Sequence, residues 1–282
     1  MAARFPVHGK GLGLRRPHLE ELAAAWPAAI DFMELAPENW AGLGGRSRRS
    51  LAAVAERVPL VAHGLGTNLG GQAPLDTAWL ARLKAFLVDY RICCFSDHLS
   101  YCADEGQLYE LLPMPFTAGA VKHVAARIRQ VQDVLGQRIA IENISYYCAP
   151  GAEMSELEFI GAVIAQADCD LLIDVNNIYV NSVNHGYDAL DYLCGLPAER
   201  ITYAHIAGHH VRAPDLLIDT HGAPIVDPVW ALLDEAYARL GVFPTLLERD
   251  FNLPPLGVLL DEVERIGAAQ AAGNERNAKR RA

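Results

Sequence analysis

The chain of 282 residues is 51% hydrophobic and 21% charged with a formal net charge of −10, an ordinary balance for a soluble globular protein and a usual length for one barrel domain. The negative charge works against nucleic-acid binding, which draws most of its affinity from Lys and Arg. No run approaches the roughly 18 consecutive apolar residues of a membrane span, and the opening MAARFPVHGKGLG has no apolar signal core, so a cytoplasmic location without membrane contact is expected. Cys93, Cys94, Cys102, Cys148, Cys169 and Cys194 lack paired CxxC spacing, which predicts reduced, mostly buried thiols rather than a zinc ribbon or a disulfide-stapled scaffold.

In chain order, short apolar runs alternate with longer amphipathic ones. Strands are expected over residues 11–15 (GLGLR), 31–35 (DFMEL), 59–63 (PLVAH) and 92–96 (ICCFS), each followed by a helix, near 18–26, 46–57, 76–90 and 117–135. The pattern continues with strands over 138–142 (RIAIE), 170–174 (DLLID), 201–205 (ITYAH) and 244–248 (PTLLE), and helices near 155–167, 187–194, 227–240 and 255–266. Each strand is brief, apolar and followed by polar or glycine residues, as buried parallel strands are. Helix starts are marked by Asp76 and Thr117 as N-caps, by Ser155 and Glu158 as a capping box, and by Asp227 before Pro228 at the first helical position. The alternation predicts an α/β fold, a single (β/α)8 TIM barrel over residues 1–266. In GKGLGLRRP the glycines precede or lie within the strand, not at a helix start as a doubly wound nucleotide-binding sheet requires. The Ala-, Gly- and Asn-rich stretch 267–282, ending in basic residues, reads as a disordered tail.

Barrel enzymes carry their working groups at the C-terminal ends of the strands. The second strand ends at Glu34 and runs on to Glu38, Asn39 and Trp40; the third ends at His63; Asp97 and His98 follow the fourth. Glu142 and Asn143 end the fifth, Asp174 the sixth with Asn176 and Asn177 behind it, and His205 the seventh. Asp219 and His221 lie in the following loop, and Glu248 ends the eighth. Any one of these, taken alone, is more simply a satisfied core histidine or a helix-capping carboxylate. Consecutive strands ending this way on one rim would bury charge at several kcal/mol per ion unless cations neutralise it. Imidazole with carboxylate and no paired thiolates suits zinc, manganese or iron. Glu142, in the middle of the set, is placed to bridge two ions at the roughly 3.5–4 Å spacing of two-metal sites.

These residues lie in longer runs, GLGLR, ELAPENW, VAHGLG, FSDHLSY, LYELLPMPFT, IAIENISYY, LLIDVNNIYVNSVNHG, HIAGHH, DTHGAPIVDPVW and LLERD, through which nearly the whole chain resembles the multinuclear non-heme iron-dependent oxidases, the family that includes the methanobactin biosynthesis oxidase. The resemblance implies a xylose-isomerase-like barrel holding two or three irons, with O2 as co-substrate. It also implies a cysteine-containing, ribosomally made precursor peptide as substrate and a separate leader-binding partner protein. Carried over by position, it implies His63, His98 and bridging Glu142 around one iron, and Asp174, His205 and Glu248 with Glu142 around a second. Asp219 and His221, with Asn177, then suit a third. Related three-zinc DNA-repair barrels carry histidine at the position of Asn177, so a looser third site is expected here. Glu142, Asp174 and His205 are taken as the catalytic centre. Asp97 is either a ligand or the group that orients His98, and Glu38, Asn39, Asn68, Tyr101, Asn143 and His209 are candidate supporting or substrate contacts.

Two rival readings share these ligands. One is a divalent-metal-dependent hydrolase or isomerase, a phosphodiesterase or sugar isomerase, on the same barrel; the other is a binding module that keeps its metal for structure. The net charge and Asn177 stand against the DNA-repair version, and the lack of a strand-end lysine against the sugar isomerase.

Overall fold

The computed structural model describes residues 4–104 and 106–281 of the chain. The eight expected strands form as β1 (Lys10–Gly13), β2 (Phe32–Leu35), β3 (Leu60–Gly64) and β4 (Phe95–His98), then β7 (Ala140–Glu142), β8 (Asp170–Asp174), β9 (Ile201–Ile206) and β12 (Thr245–Leu247). They close into one barrel in the order β1-β12-β9-β8-β7-β4-β3-β2, every neighbouring pair parallel. Two antiparallel hairpins stand above this rim: β5 (Tyr101–Ala103) with β6 (Gln107–Leu112), and β10 (His210–Ala213) with β11 (Leu216–Ile218). The helices are α1 (Leu19–Ala24), α2 (Gly45–Ala55), α3 (Thr77–Asp89), α4 (Ala118–Leu135), α5 (Glu156–Ala167), α6 (Val175–His185), α7 (Ala189–Gly195), α8 (Asp227–Leu240) and α9 (Leu256–Arg281).

The period of two along a strand assigns every side chain to the outer or inner face. Met33, Ala62, Phe95, Ile141, Ile173, Ala204 and Leu247 point outward into the main core beneath the helices. Phe32, Val61, Cys94, Ala140, Leu172, Tyr203 and Leu246, plugged by Val7, form a separate apolar cluster inside the barrel. Two residues further along those strands stand Glu34, His63, Ser96, Glu142, Asp174, His205 and Glu248, all buried. The barrel interior is thus a mostly apolar floor under a layer of polar groups, all but Ser96 ionisable. Gly11 belongs to this packing, because a Cβ there would fall 2.5 Å from the Phe32 ring.

The expected caps form: Asp76 accepts from Trp79 N, Thr117 from Ala120 N, and Ser155 with Glu158 makes the reciprocal capping box. Three expectations need correction. Asp227 is itself the first residue of α8, with Pro228 second and no side-chain cap. The thiols divide into buried Cys94, Cys102 and Cys169 and exposed Cys93, Cys148 and Cys194, all free. The tail read as disordered continues α9 to Arg281. Its alanines favour helix, and it packs on the barrel: Gln270 donates to Gly9 O and Phe243 O across the β1–β12 seam, and Asn277 donates to Tyr237 O. Among the described residues no helix is long and apolar enough to cross a membrane.

Candidate metal centre

The inner-face groups converge at a cavity of about 540 Å³ whose lining also includes Arg15, Trp40, Leu65, Leu111 and Phe251. His63 Nε2 lies 3.0 Å from His98 Nε2 and 3.0 Å from Glu142 Oε2, and His98 Nε2 lies 3.1 Å from that same oxygen. His98 Nδ1 donates to Gly64 O at 2.9 Å, leaving its Nε2 without a proton in the neutral ring. In the neutral ring that bare nitrogen faces the Glu142 oxygen and repels it, so either a proton, as in the imidazolium, or a shared cation is needed among these three atoms. Atoms about 2.1 Å from a shared ion, at right angles to each other, stand about 3 Å apart, so a cation between them removes the conflict.

A second convergence surrounds His205. Its Nε2 bonds Glu34 Oε2 at 2.8 Å, which turns Nδ1 toward Glu248 Oε2 at 2.9 Å, Glu142 Oε1 at 3.3 Å and Asp174 Oδ2 at 4.0 Å. Glu142 therefore faces both groups, one oxygen to each. Asp174 divides its oxygens too: Oδ1 caps α6 by accepting from Asn177 N at 2.7 Å, while Oδ2 meets no hydrogen-bond donor. Glu142 Oε2, His205 Nδ1, His221 Nε2 and Asn177 Oδ1 are likewise buried without hydrogen-bond partners. Orphaned lone pairs on this scale are costly without an ion, so the donor set fits bound metal.

The third group centres on His221. His221, in the left-handed region at φ 44°, lies 2.8 Å from Asp219 Oδ1 through Nε2. Its other ring nitrogen stands 3.1 Å from Glu248 Oε2 and 3.5 Å from Asp250 Oδ2. His221, Glu248 and Asp250 bring ligand-capable atoms within 4.8 Å of one another, and Asn177, 3% exposed and with its Oδ1 unpartnered, lines the same cavity. Asp250 was not singled out from the sequence, although it follows Glu248 by two residues. It forms an ion pair with Arg15. Asp219 is fixed by Ser145 Oγ at 3.0 Å and Asn176 Nδ2 at 2.9 Å.

The charges act on one another as the geometry demands. Burial opposes the imidazolium of His98, yet Glu142 and Asp97 outweigh it and raise its pKa to about 9. Burial likewise opposes charge on His205 and His221, but Glu34 and Glu248 around the first, and Asp219 and Glu248 around the second, raise both well above the ordinary value. Burial pushes Asp174 up to about 7 against the pull of His221, while the histidines hold Glu142 and Glu248 well below the usual carboxylate range in spite of burial. This field attracts cations, and metal ions entering it would displace the histidine protons.

The supporting candidates separate. Glu38 Oε1 accepts from Leu65 N and Gly66 N, and Asp97 accepts from His98 N and Thr67 N, so both fix the β3–α3 loop; Asp97 stays 3.8 Å from His98 Nδ1. Asn68 holds the first hairpin through Cys102 N, Ala103 N and Ala103 O. Asn143 clasps Asp174 through its backbone N and O, and His209 Nδ1 meets Asn176 Oδ1 at 2.8 Å. Asn39 lines the cavity, whereas Tyr101 does not.

A closed parallel barrel with a buried histidine and carboxylate centre at its strand ends places the chain among xylose-isomerase-like barrels. The model of the MbnB/TglH/ChrH RiPP precursor modification enzymes matches residues 9–271, and the chain belongs to that family. A UPF0276 protein of Shewanella amazonensis is 56% identical over 262 residues, covering 93% of this chain and 94% of its own length. The 3-keto-D-glucoside 4-epimerase of E. coli superposes with a TM-score of 0.61 at 14% identity, over 91% of this chain and 98% of its own. Endonuclease IV of Thermus thermophilus reaches 0.59 at 16% identity, over 94% and 99%. The last two are likenesses of fold alone.

Proposed function

We propose that the protein is a multinuclear non-heme iron oxidase that uses O2 to modify cysteine residues of a ribosomally synthesised precursor peptide, by heterocycle formation or a related oxidative rearrangement. The observation that carries this reading is the two-sided placing of Glu142, with Oε2 3.0 Å from His63 Nε2 and Oε1 3.3 Å from His205 Nδ1, which suits a carboxylate bridging two ions. His63, His98 and Glu142 would hold the first ion; Glu142, Asp174, His205 and Glu248 the second; and Asp219, His221 and Asn177 a third. Iron bound there would supply electron exchange with O2 and a binding site for a cysteine thiolate, chemistry that side chains do not provide.

The residues themselves bind and orient. Glu38 and Asp97 hold the loop that carries Leu65, and Leu65, Leu111 and Phe251 line both the central cavity and the cleft leading outward past Tyr147. These apolar walls suit a peptide segment and exclude water around the centre. Membership of a precursor-modifying family supports a peptide as the substrate, and capture of its leader is assigned to a separate partner protein.

The test is metal analysis and Mössbauer spectroscopy of protein purified without oxygen from iron-replete cells, followed by exposure to a cysteine-bearing precursor peptide and O2. Two or more irons per chain and an O2-dependent mass change confined to the cysteine region are expected. Stoichiometric zinc without iron, or turnover of a phosphodiester or sugar in place of the peptide, would overturn the oxidase reading.

A further inference from the structure

Beneath the metal-facing atoms a buried hydrogen-bond chain extends the Glu34–His205 bond across the barrel to His63. Tyr203 belongs to the apolar floor of the barrel, yet it carries a hydroxyl there, and it is fully buried together with Ser96 and Glu34. Tyr203 OH donates to Glu34 Oε2 at 2.5 Å, and the same oxygen meets His205 Nε2 at 2.8 Å. On its other side the hydroxyl lies 2.9 Å from Ser96 Oγ, which in turn lies 2.8 Å from His63 Nδ1.

The direction of each bond follows from its neighbours. A carboxylate only accepts, so Tyr203 and His205 Nε2 both give their protons to Glu34. With its own proton committed, the Tyr203 oxygen accepts from Ser96 at 2.9 Å, a closer acceptor than Ala62 O at 3.3 Å, and Ser96 then accepts from His63 Nδ1. In this arrangement every contact in the chain has one hydrogen. It leaves His63 Nε2 and His205 Nδ1 as bare lone pairs, and these are the two atoms that face opposite oxygens of Glu142.

We infer that Ser96, Tyr203 and Glu34 form one positioning unit that fixes the tautomers of His63 and His205 together, and so ties the filling of the two ion positions that meet at Glu142. Imidazole ligands depend on the partner of their second nitrogen for ring orientation and basicity. Here that partner is shared across the barrel floor. The inference rests on the metal-centre reading but not on iron or oxygen, so zinc, which is diamagnetic and redox-silent, serves as the probe.

Zinc affinity is measured by chelator competition on metal-free protein, with the imidazole ¹⁵N signals of the zinc-loaded form as the second readout. Tyr203→Phe keeps the ring and its edge contact with Phe32 at 6.1 Å and removes one hydroxyl. It is expected to lower affinity at both positions about 10- to 100-fold and to shift the signals of both His63 and His205. Ser96→Ala is expected to weaken chiefly the position built on His63. Phe32→Leu, which disturbs the same apolar layer and packs on the Tyr203 ring but removes no member of the hydrogen-bond chain, should move neither readout.

Unchanged zinc affinity in folded Tyr203→Phe, or an equal loss in Phe32→Leu, overturns the inference. Should Tyr203→Phe not fold, Ser96→Ala decides, since unchanged affinity and signals at His63 overturn it as well. Wild-type protein that takes up no zinc would count against the metal-centre reading itself.

Discussion

The two oxygens of Asp174 have separate tasks, and a single isosteric change separates them. Oδ1 accepts from Asn177 N and starts α6, while Oδ2 has no hydrogen-bond donor and faces His205 and His221. In Asp174→Asn the remaining carbonyl oxygen keeps the cap and an amide replaces the free oxygen. The metal-free protein should melt no lower than wild type, because a carboxyl that burial already pushes up to about 7 is replaced by a neutral group. Metal content should fall by at least one ion per chain. Asp174→Ala, which also loses the cap, should cost about 1 kcal/mol more in the metal-free form. Full metal occupancy in Asp174→Asn, measured by elemental analysis, would contradict the ligand role. His63, Glu142, Asp174, His205 and Glu248 were legible because each ends a short apolar run, and a parallel barrel gathers such ends on one rim, which also drew attention to Asp219 and His221 in the loop beyond. Tyr203 and Ser96 were not, although each sits two residues before a selected histidine and so shares its inward face. Asp250 was hidden because its nearness to His221 depends on how the chain turns after β12, which no local pattern encodes.

Among the elements, all eight barrel strands were readable, yet both hairpins and α6 were not. Residues 101–112 and 210–218 mix polar, charged and apolar side chains without strict alternation, since neither hairpin has a buried face of its own to enforce one. VNNIYVNSVNH is rich in asparagine and β-branched residues, poor helix formers; the cap from Asp174 and burial of Val175, Ile178 and Val180 override that propensity. Helix α5 carries an independent prediction. Burial raises the Glu156 carboxyl, in the first turn of this helix, to about 8, and its Oε2 has no partner. Because the folded pKa lies above the unfolded value, its contribution is fully present below the unfolded pKa of 4.5 and is lost as pH rises to about 8. Denaturant midpoints of wild type should therefore fall across this window. Glu156→Gln should flatten the fall, with a gain on the order of a few kcal/mol at the alkaline end. Parallel pH profiles for the two proteins would refute the assignment.

At the scale of the whole molecule, the proposed ligands His63, His98, Glu142, Asp174, His205 and Glu248 lie on or beside six different strands of one closed sheet. Metal bound among them would connect most of the barrel, whereas the apolar floor and the α9 clasp on the β1–β12 seam hold the opposite end without it. Ion binding is therefore coupled to unfolding of the barrel as a unit rather than to melting of one loop. Binding to the folded form alone adds about 2.7 kcal/mol for each site at a free metal concentration 100 times its Kd. In a large domain each kcal/mol moves Tm by about 2–4 °C. Removing metal with a chelator should lower Tm by at least several degrees while leaving a single cooperative transition, and re-addition should restore it. Glu142→Ala, which deletes the carboxylate facing both groups, should abolish most of this metal-dependent rise and release at least two ions. A chelator-insensitive Tm in protein shown to carry metal, or loss of one ion in Glu142→Ala with the other retained, would mean that the positions are not joined through Glu142.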